Sequence, residues 1–106
     1  MEPSDLPQQR RLVTPVPGPR SQQLMERRRA AIPAAVGTTL PVFAARASGG
    51  IVEDVDGNRF VDFASGIAVT TVGASAPRVV ASVTAQVADF THTCFMVTPY
   101  EEYVAV

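Results

Sequence analysis

The chain has 106 residues, a formal net charge of −1 and 46% hydrophobic residues, which leaves room for one small domain. Near-neutral charge gives no support to a nucleic-acid binder, and no apolar run approaches the roughly 18 residues of a membrane span. The single cysteine, Cys94, excludes an internal disulfide and fits a reducing compartment.

The N-terminus lacks the apolar core of a secretory signal, and Glu2 and Asp5 argue against a transit peptide; the cytoplasm is the expected location. Five of the nine prolines fall within residues 1–20. They remove amide donors and bias their neighbours to extended backbone. Residues 1–20 therefore read as a Pro-rich arm without a core of its own, either disordered or draped over a partner.

Ser21 reads as the N-cap of a helix that Pro33 ends, with Leu24, Arg28 and Ala31 at helical spacing. Arg27, Arg28 and Arg29 point in different directions around such a helix, so they read as a solvated face at its C-terminal end. Residues 33–48 read as irregular, with Val36, Leu40, Val42 and Phe43 as isolated apolar anchors.

Ile51–Val55 and Arg59–Phe63 are short runs rich in branched and aromatic residues, separated by Asp56-Gly57. That dipeptide predicts a two-residue hairpin loop of type I′. The register would pair Val55 with Asn58, Asp54 with Arg59, Glu53 with Phe60 and Val52 with Val61. A lone hairpin is marginal in water and must pack on something. The small residues of Ala64-Ser65-Gly66 follow, then Ile67-Ala68-Val69.

From Ala74 to Phe90 the spacing predicts the best helix of the chain. Ser75 would be its N-cap and Pro77 would lie in its first turn. Val79, Val80, Val83, Val87 and Phe90 form its apolar stripe. Thr98, Pro99 and Glu101 then form a capping box for another helix, which stops at Val106 after about two turns. A helix that short is marginal alone, and Tyr103, Val104 and Val106 have no following element to pack on. The pattern is that of a chain cut within a helix.

Catalytic constellations are scarce. His92 and Cys94, two apart, read as a hydrogen-bonded histidine and a buried cysteine rather than a base and nucleophile. No set of metal ligands converges, and the acidic run Glu53, Asp54 and Asp56 reads as solvated. All nine basic residues are arginine, and the chain contains no lysine. Taken alone, the residues predict an α+β fragment with a short antiparallel sheet, flanking helices and no complete active site.

The run Val55-Asp56-Gly57-Asn58-Arg59-Phe60-Val61-Asp62-Phe63, followed by Gly66-Ile67-Ala68-Val69, resembles the N-terminal region of class III aminotransferases. These are fold-type I enzymes dependent on pyridoxal phosphate. Residues 28–33 and 91–95 resemble 4-aminobutyrate aminotransferases in particular, and residues 17–21 the actinobacterial kind. The similarity covers about residues 10–106.

The resemblance implies transfer of an amino group from 4-aminobutyrate to 2-oxoglutarate by a homodimer, with no nucleic-acid or membrane partner. It also implies that residues 21–106 are the N-terminal segment of the small domain, ending before the cofactor-binding large domain. In that family the isoleucine of the Gly-Ile-Ala-Val run lines the substrate pocket, which would make Ile67 an apolar wall for the methylene chain of an ω-amino acid. Ala74, Ala76 and Met96 stand where many relatives carry His, His and Gln, so no binding role is carried onto them. The lysine that anchors the cofactor has no counterpart here. The isolated chain is therefore expected to bind no pyridoxal phosphate, to hold no catalytic residue and to be inactive. The alternative is a non-enzymatic interaction module that uses the hairpin edge and the basic helix.

Overall fold

The computed structural model describes residues 6–105; the first five residues of the Pro-rich arm and Val106 lie outside them. The chain divides into two compact units, Met1–Ala76 and Pro77–Val106. The first holds helix α1 (Pro19–Ala31), strands β1 (Ala44–Ser48), β2 (Ile51–Asp54) and β3 (Arg59–Val61), and the single turn α2 (Ser65–Ala68). The second holds helices α3 (Pro77–Asp89) and α4 (Glu101–Ala105). The three strands form an antiparallel sheet in the order β1-β2-β3. This is the α+β class with a short antiparallel sheet that the sequence predicts.

The β2–β3 hairpin exists, but its register differs from the prediction by one residue. Ile51 faces Val61, Val52 faces Phe60 and Glu53 faces Arg59. The loop is Val55-Asp56-Gly57, and only Gly57 has a positive φ, at 87°. A three-residue loop with glycine in the left-handed position replaces the expected type I′ turn. The cause is the Asp54 carboxylate, which folds over its own loop. Its Oδ1 accepts from the amides of Asp56 at 2.9 Å and Asn58 at 2.8 Å. Those bonds draw Asn58 opposite Asp54 and move every later pair by one.

Residues 44–48 form a strand where irregular backbone was expected. Ser48 faces Ile51 across Gly49-Gly50, a two-residue loop whose first glycine has φ 57°. Gly-Gly at that spacing is a hairpin signal; the small side chains of Ala44-Ala45-Arg46-Ala47-Ser48 mask it. Arg46 pairs with Glu53 at 2.8 Å. Arg46 is half exposed, so the pair adds at most a few tenths of a kcal/mol.

Residues 6–18 of the Pro-rich segment lie along this sheet. Arg11 and Arg59 exchange two backbone bonds, of 3.0 and 2.6 Å, so Arg11 covers the outer edge of β3. Among the described residues Leu6 and Ile51 are the buried apolar side chains, at 1% and 4% exposure. Buried beside them are polar groups, Asp54, Asn58, Arg59 and Ser21. The described part of this unit is thus held by polar cross-links as much as by apolar packing.

Helix α1 starts two residues before the expected cap. Gly18 is its N-cap and Pro19 lies in its first turn, where a missing amide costs nothing. In the second unit, α3 runs from Pro77, with the valines at helical spacing as read. Ser75 has φ 52°. Helix α4 begins at Glu101, two residues beyond the expected Pro99 start. Tyr103 is not without a neighbour. Its ring lies tilted against that of Phe95 at 4.5 Å between centroids, and Tyr100 meets Phe95 and Phe90 edge-on at 5.2 and 5.5 Å. His92 and Cys94 are both exposed, which corrects the expectation of a buried thiol.

Candidate functional site

The segment from Asp62 to Ala74 leaves the end of β3 and returns to the sheet, and both of its ends are fastened to the Gly49-Gly50 turn. The Asp62 amide donates to the Gly50 carbonyl at 2.9 Å. Gly49 and Ala74 exchange two backbone bonds, each 2.9 Å. The Gln8 side chain locks the same turn from the other side. Its amide group donates to the Ser48 carbonyl at 2.9 Å, and its carbonyl accepts from Gly50 at 3.0 Å. One glycine pair therefore positions the loop that carries Ile67.

Within that loop the chain winds left-handed. Ser65, Gly66, Ile67 and Ala68 have φ of 48°, 61°, 63° and 62°. Only Gly66 is suited to this region; each L-residue in it costs about 1–2 kcal/mol, and a β-branched one is an outlier. The turn is closed by bonds from Ala68 to the Ala64 carbonyl and from Val69 to the Ser65 carbonyl, at 3.2 and 2.8 Å. Asp62 starts it: one carboxylate oxygen accepts from the amides of Ala64 and Ser65 at 3.1 and 2.8 Å. Ile67 is 91% exposed.

Two concavities adjoin this loop. One is a mostly apolar cleft of about 400 Å³, lined among others by Leu40, Val42, Val52, Phe60 and Phe63. The other is a recess of about 360 Å³ lined by Phe63, Ala64, Ser65, Ala68, Thr70 and Thr71. Ile67 lines neither. An apolar cleft beside a few hydroxyl groups can take a short chain of methylenes with one polar end.

The acidic run is not solvated as expected; its three members are structural. Asp54 and Asn58 are buried and share a bond of 2.9 Å from the Asn58 amide group. Asn58 Oδ1 in turn accepts from the amides of Val13 and Thr14 at 2.8 and 2.9 Å. Glu53 pairs with Arg46. Asp56 reaches across to α1, where Oδ1 accepts from the Arg20 amide at 2.7 Å and Oδ2 from the Ser21 amide at 2.9 Å. The N-cap expected of Ser21 is thus supplied from 35 residues away. Nothing in local spacing could have shown it. Among the described residues no cluster of His, Cys, Asp or Glu could hold a metal ion.

Desolvation opposes ionisation of Asp56, but it is outweighed. The Ser21 side chain, the Arg20 and Ser21 amides and the Arg20 charge together hold its carboxyl below the usual 3.8. The Ser21 hydroxyl is close enough to favour the anion, without reaching hydrogen-bond geometry. A depressed folded pKa means the contribution is complete above 3.8 and is lost as pH falls through the lower folded value. Acid titration followed by circular dichroism should therefore show α1 fraying below about pH 4. Asp56→Asn should fray it already at neutral pH. Equal helicity of both forms at pH 7 would remove Asp56 as the cap.

The class III aminotransferase family profile matches residues 32–106. Over 103 residues the chain is 70% identical to the 4-aminobutyrate aminotransferase of Mycobacterium tuberculosis, covering 97% of this chain and 23% of that protein. It is 49% identical over 84 residues to the 4-aminobutyrate aminotransferase of Escherichia coli, covering 79% of this chain and 20% of that one. A crystal structure of an omega-transaminase from Sphaerobacter thermophilus superposes with a TM-score of 0.71 at 27% identity, over 85% of this chain and 21% of that chain. The chain thus spans about a quarter of the length of the curated relatives it matches.

Proposed function

The chain belongs to the class III aminotransferases, and from that premise we propose that it is the N-terminal part of a transaminase that moves the amino group of 4-aminobutyrate to 2-oxoglutarate. The observation that carries the substrate is the 70% identity to a 4-aminobutyrate aminotransferase over nearly the whole chain. In this reading residues 1–20 are the Pro-rich arm and residues 21–106 the N-terminal segment of the small domain. Ile67, on its left-handed turn, is an apolar wall for the substrate's methylene chain. The working form is a homodimer in the cytoplasm, acting on an amino acid and a 2-oxo acid, with no nucleic-acid or membrane partner. Among the described residues no helix is long and apolar enough to cross a membrane.

The family uses pyridoxal phosphate, which supplies the electron sink for amino transfer. That cofactor needs a lysine to hold it, and this chain has none. Its residues therefore do not fit the group, and what they contribute is shape. Arm, sheet and glycine turn together set the height and angle of the loop 62–74. The reading as a free interaction module is not favoured, because the β3 edge it would use is already bonded to Arg11.

Two assays test the proposal. The purified 106-residue chain, given pyridoxal phosphate, 4-aminobutyrate and 2-oxoglutarate, should form no glutamate above background; turnover would overturn the account of the missing lysine. The chain can also replace the matching quarter of the Mycobacterium tuberculosis relative. That chimaera should keep its 4-aminobutyrate activity, and Ile67→Glu in it should raise KM about tenfold or more. An unchanged KM would dismiss Ile67 as a wall.

A further inference from the structure

Gly49 lies between two surfaces, and a side chain on it would part them. On one side a Cβ at position 49 would overlap the Gln8 side-chain amide. On the other, a Cβ on Gly73 would meet the Gly49 Cα at 3.1 Å, so the returning end of the loop 62–74 lies directly on the turn. Gln8 is itself fixed. Its nitrogen donates to the carbonyls of Leu6 and Ser48, each at 2.9 Å, and its oxygen accepts from the Gly50 amide at 3.0 Å. The arm is anchored on both sides of Gln8. Leu6 is buried, the Pro7 carbonyl accepts from Arg59 Nη1 at 3.3 Å, and Arg11 is bonded to β3. The Gln8 side chain thus joins the arm, the end of β1 and the turn on which both ends of the loop 62–74 are fastened.

We propose that Gln8 is a positioning residue that sets selectivity for the chain length of the amino donor. It acts through the Gly49-Gly50 turn. By holding that turn it fixes the loop 62–74, and with it the distance of Ile67 from the donor's methylene chain. The proposal rests on the reading of Ile67 as an apolar wall of a 4-aminobutyrate site. A wall separates homologues only if it does not yield, and in a fitted apolar pocket one methylene is worth roughly 10- to 200-fold in kcat/KM. Three hydrogen bonds from one planar amide fix the turn in direction as well as in distance. The chain has no lysine, so the chemical step is not among its tasks. Loosening the wall should therefore change the fit of the donor rather than the transfer of its amino group.

The experiment uses the chimaera with the Mycobacterium tuberculosis relative. It reads the ratio of kcat/KM for 4-aminobutyrate over 5-aminovalerate, the homologue longer by one methylene. That ratio does not depend on the fraction of enzyme that is correctly folded, so a merely structural defect leaves it alone. Gln8→Ala should lower the ratio about threefold or more. Gln8→Met, which keeps the length of the side chain without its bonds, should lower it equally. Thr14→Ala weakens the arm at Asn58, away from the turn, and should leave the ratio unchanged. An unchanged or raised ratio in Gln8→Ala, a ratio restored by Gln8→Met, or an equal fall in Thr14→Ala would overturn the positioning role. A parent chimaera that does not turn over 4-aminobutyrate would overturn the reading of the site and the proposal with it. Normal turnover with a ratio indifferent to Gln8 would overturn the proposal alone.

Discussion

Asn58→Ala should be the most damaging single substitution in the described part of the sheet unit, lowering unfolding free energy by about 3–5 kcal/mol. Asn58 is fully buried, and every polar atom of its side chain is engaged. Its oxygen takes the amides of Val13 and Thr14, and its nitrogen gives to Asp54 and to the Thr14 hydroxyl. Alanine leaves two amides unpaired and the buried Asp54 carboxylate short of a donor, each a desolvation cost of about 1–3 kcal/mol. A domain of this kind has about 5–15 kcal/mol in hand, so the variant should lose about a quarter of its stability or more. Urea unfolding followed by circular dichroism measures the difference. Asn58→Asp is the informative companion, because it keeps the shape but sets a carboxylate against Asp54. A loss under about 1 kcal/mol for Asn58→Ala would mean that the arm is not tied down through this residue.

That network also explains why the hairpin was legible and its register was not. Asp56-Gly57 between two β-rich runs marks a turn from sequence alone. Which residues face each other depends on the Asp54 side chain bonding its own loop, a competition between side chain and backbone that the Asp-Gly signal does not encode. The valine spacing of α3 was legible for the opposite reason, since a periodic stripe is a local pattern. The start of α1 was hidden because its cap lies in the hairpin loop. β1 was hidden because alanines and an arginine carry little strand preference, although Gly49-Gly50 offered the hairpin signal.

The candidate site follows the same division. Gly66-Ile67-Ala68-Val69 could be singled out by resemblance. Its left-handed winding could not be read, because Ser-Gly-Ile-Ala carries one glycine and three residues that ordinarily avoid that region. The fastening of the loop to the Gly49-Gly50 turn is likewise a tertiary fact. That glycine pair is the anchor for the segment with the strongest functional resemblance.

The weight on that anchor makes Gly49→Val the second large effect, at about 2–4 kcal/mol. Two costs combine. Valine at φ 57° is strained by about 1–2 kcal/mol, and more for being β-branched. In addition, a Cβ at position 49 would overlap the Gln8 side-chain amide, which would have to leave its bonds to Ser48 and Gly50, each with a net value of about 1 kcal/mol. The consequence reaches past stability. Once the turn deforms, Gly49 can no longer exchange bonds with Ala74, and the loop 62–74 loses the fastening of its returning end. Hydrogen exchange at Ala74 and Asp62 should therefore rise together in Gly49→Val, by more than at Arg59, whose bond to Arg11 lies away from the turn. Gln8→Ala separates the two costs, since it removes the clasp and leaves φ unstrained; it should give about half the loss and a smaller rise at Ala74. Equal protection of Ala74 in all three proteins would show that the loop holds its place without the glycine pair.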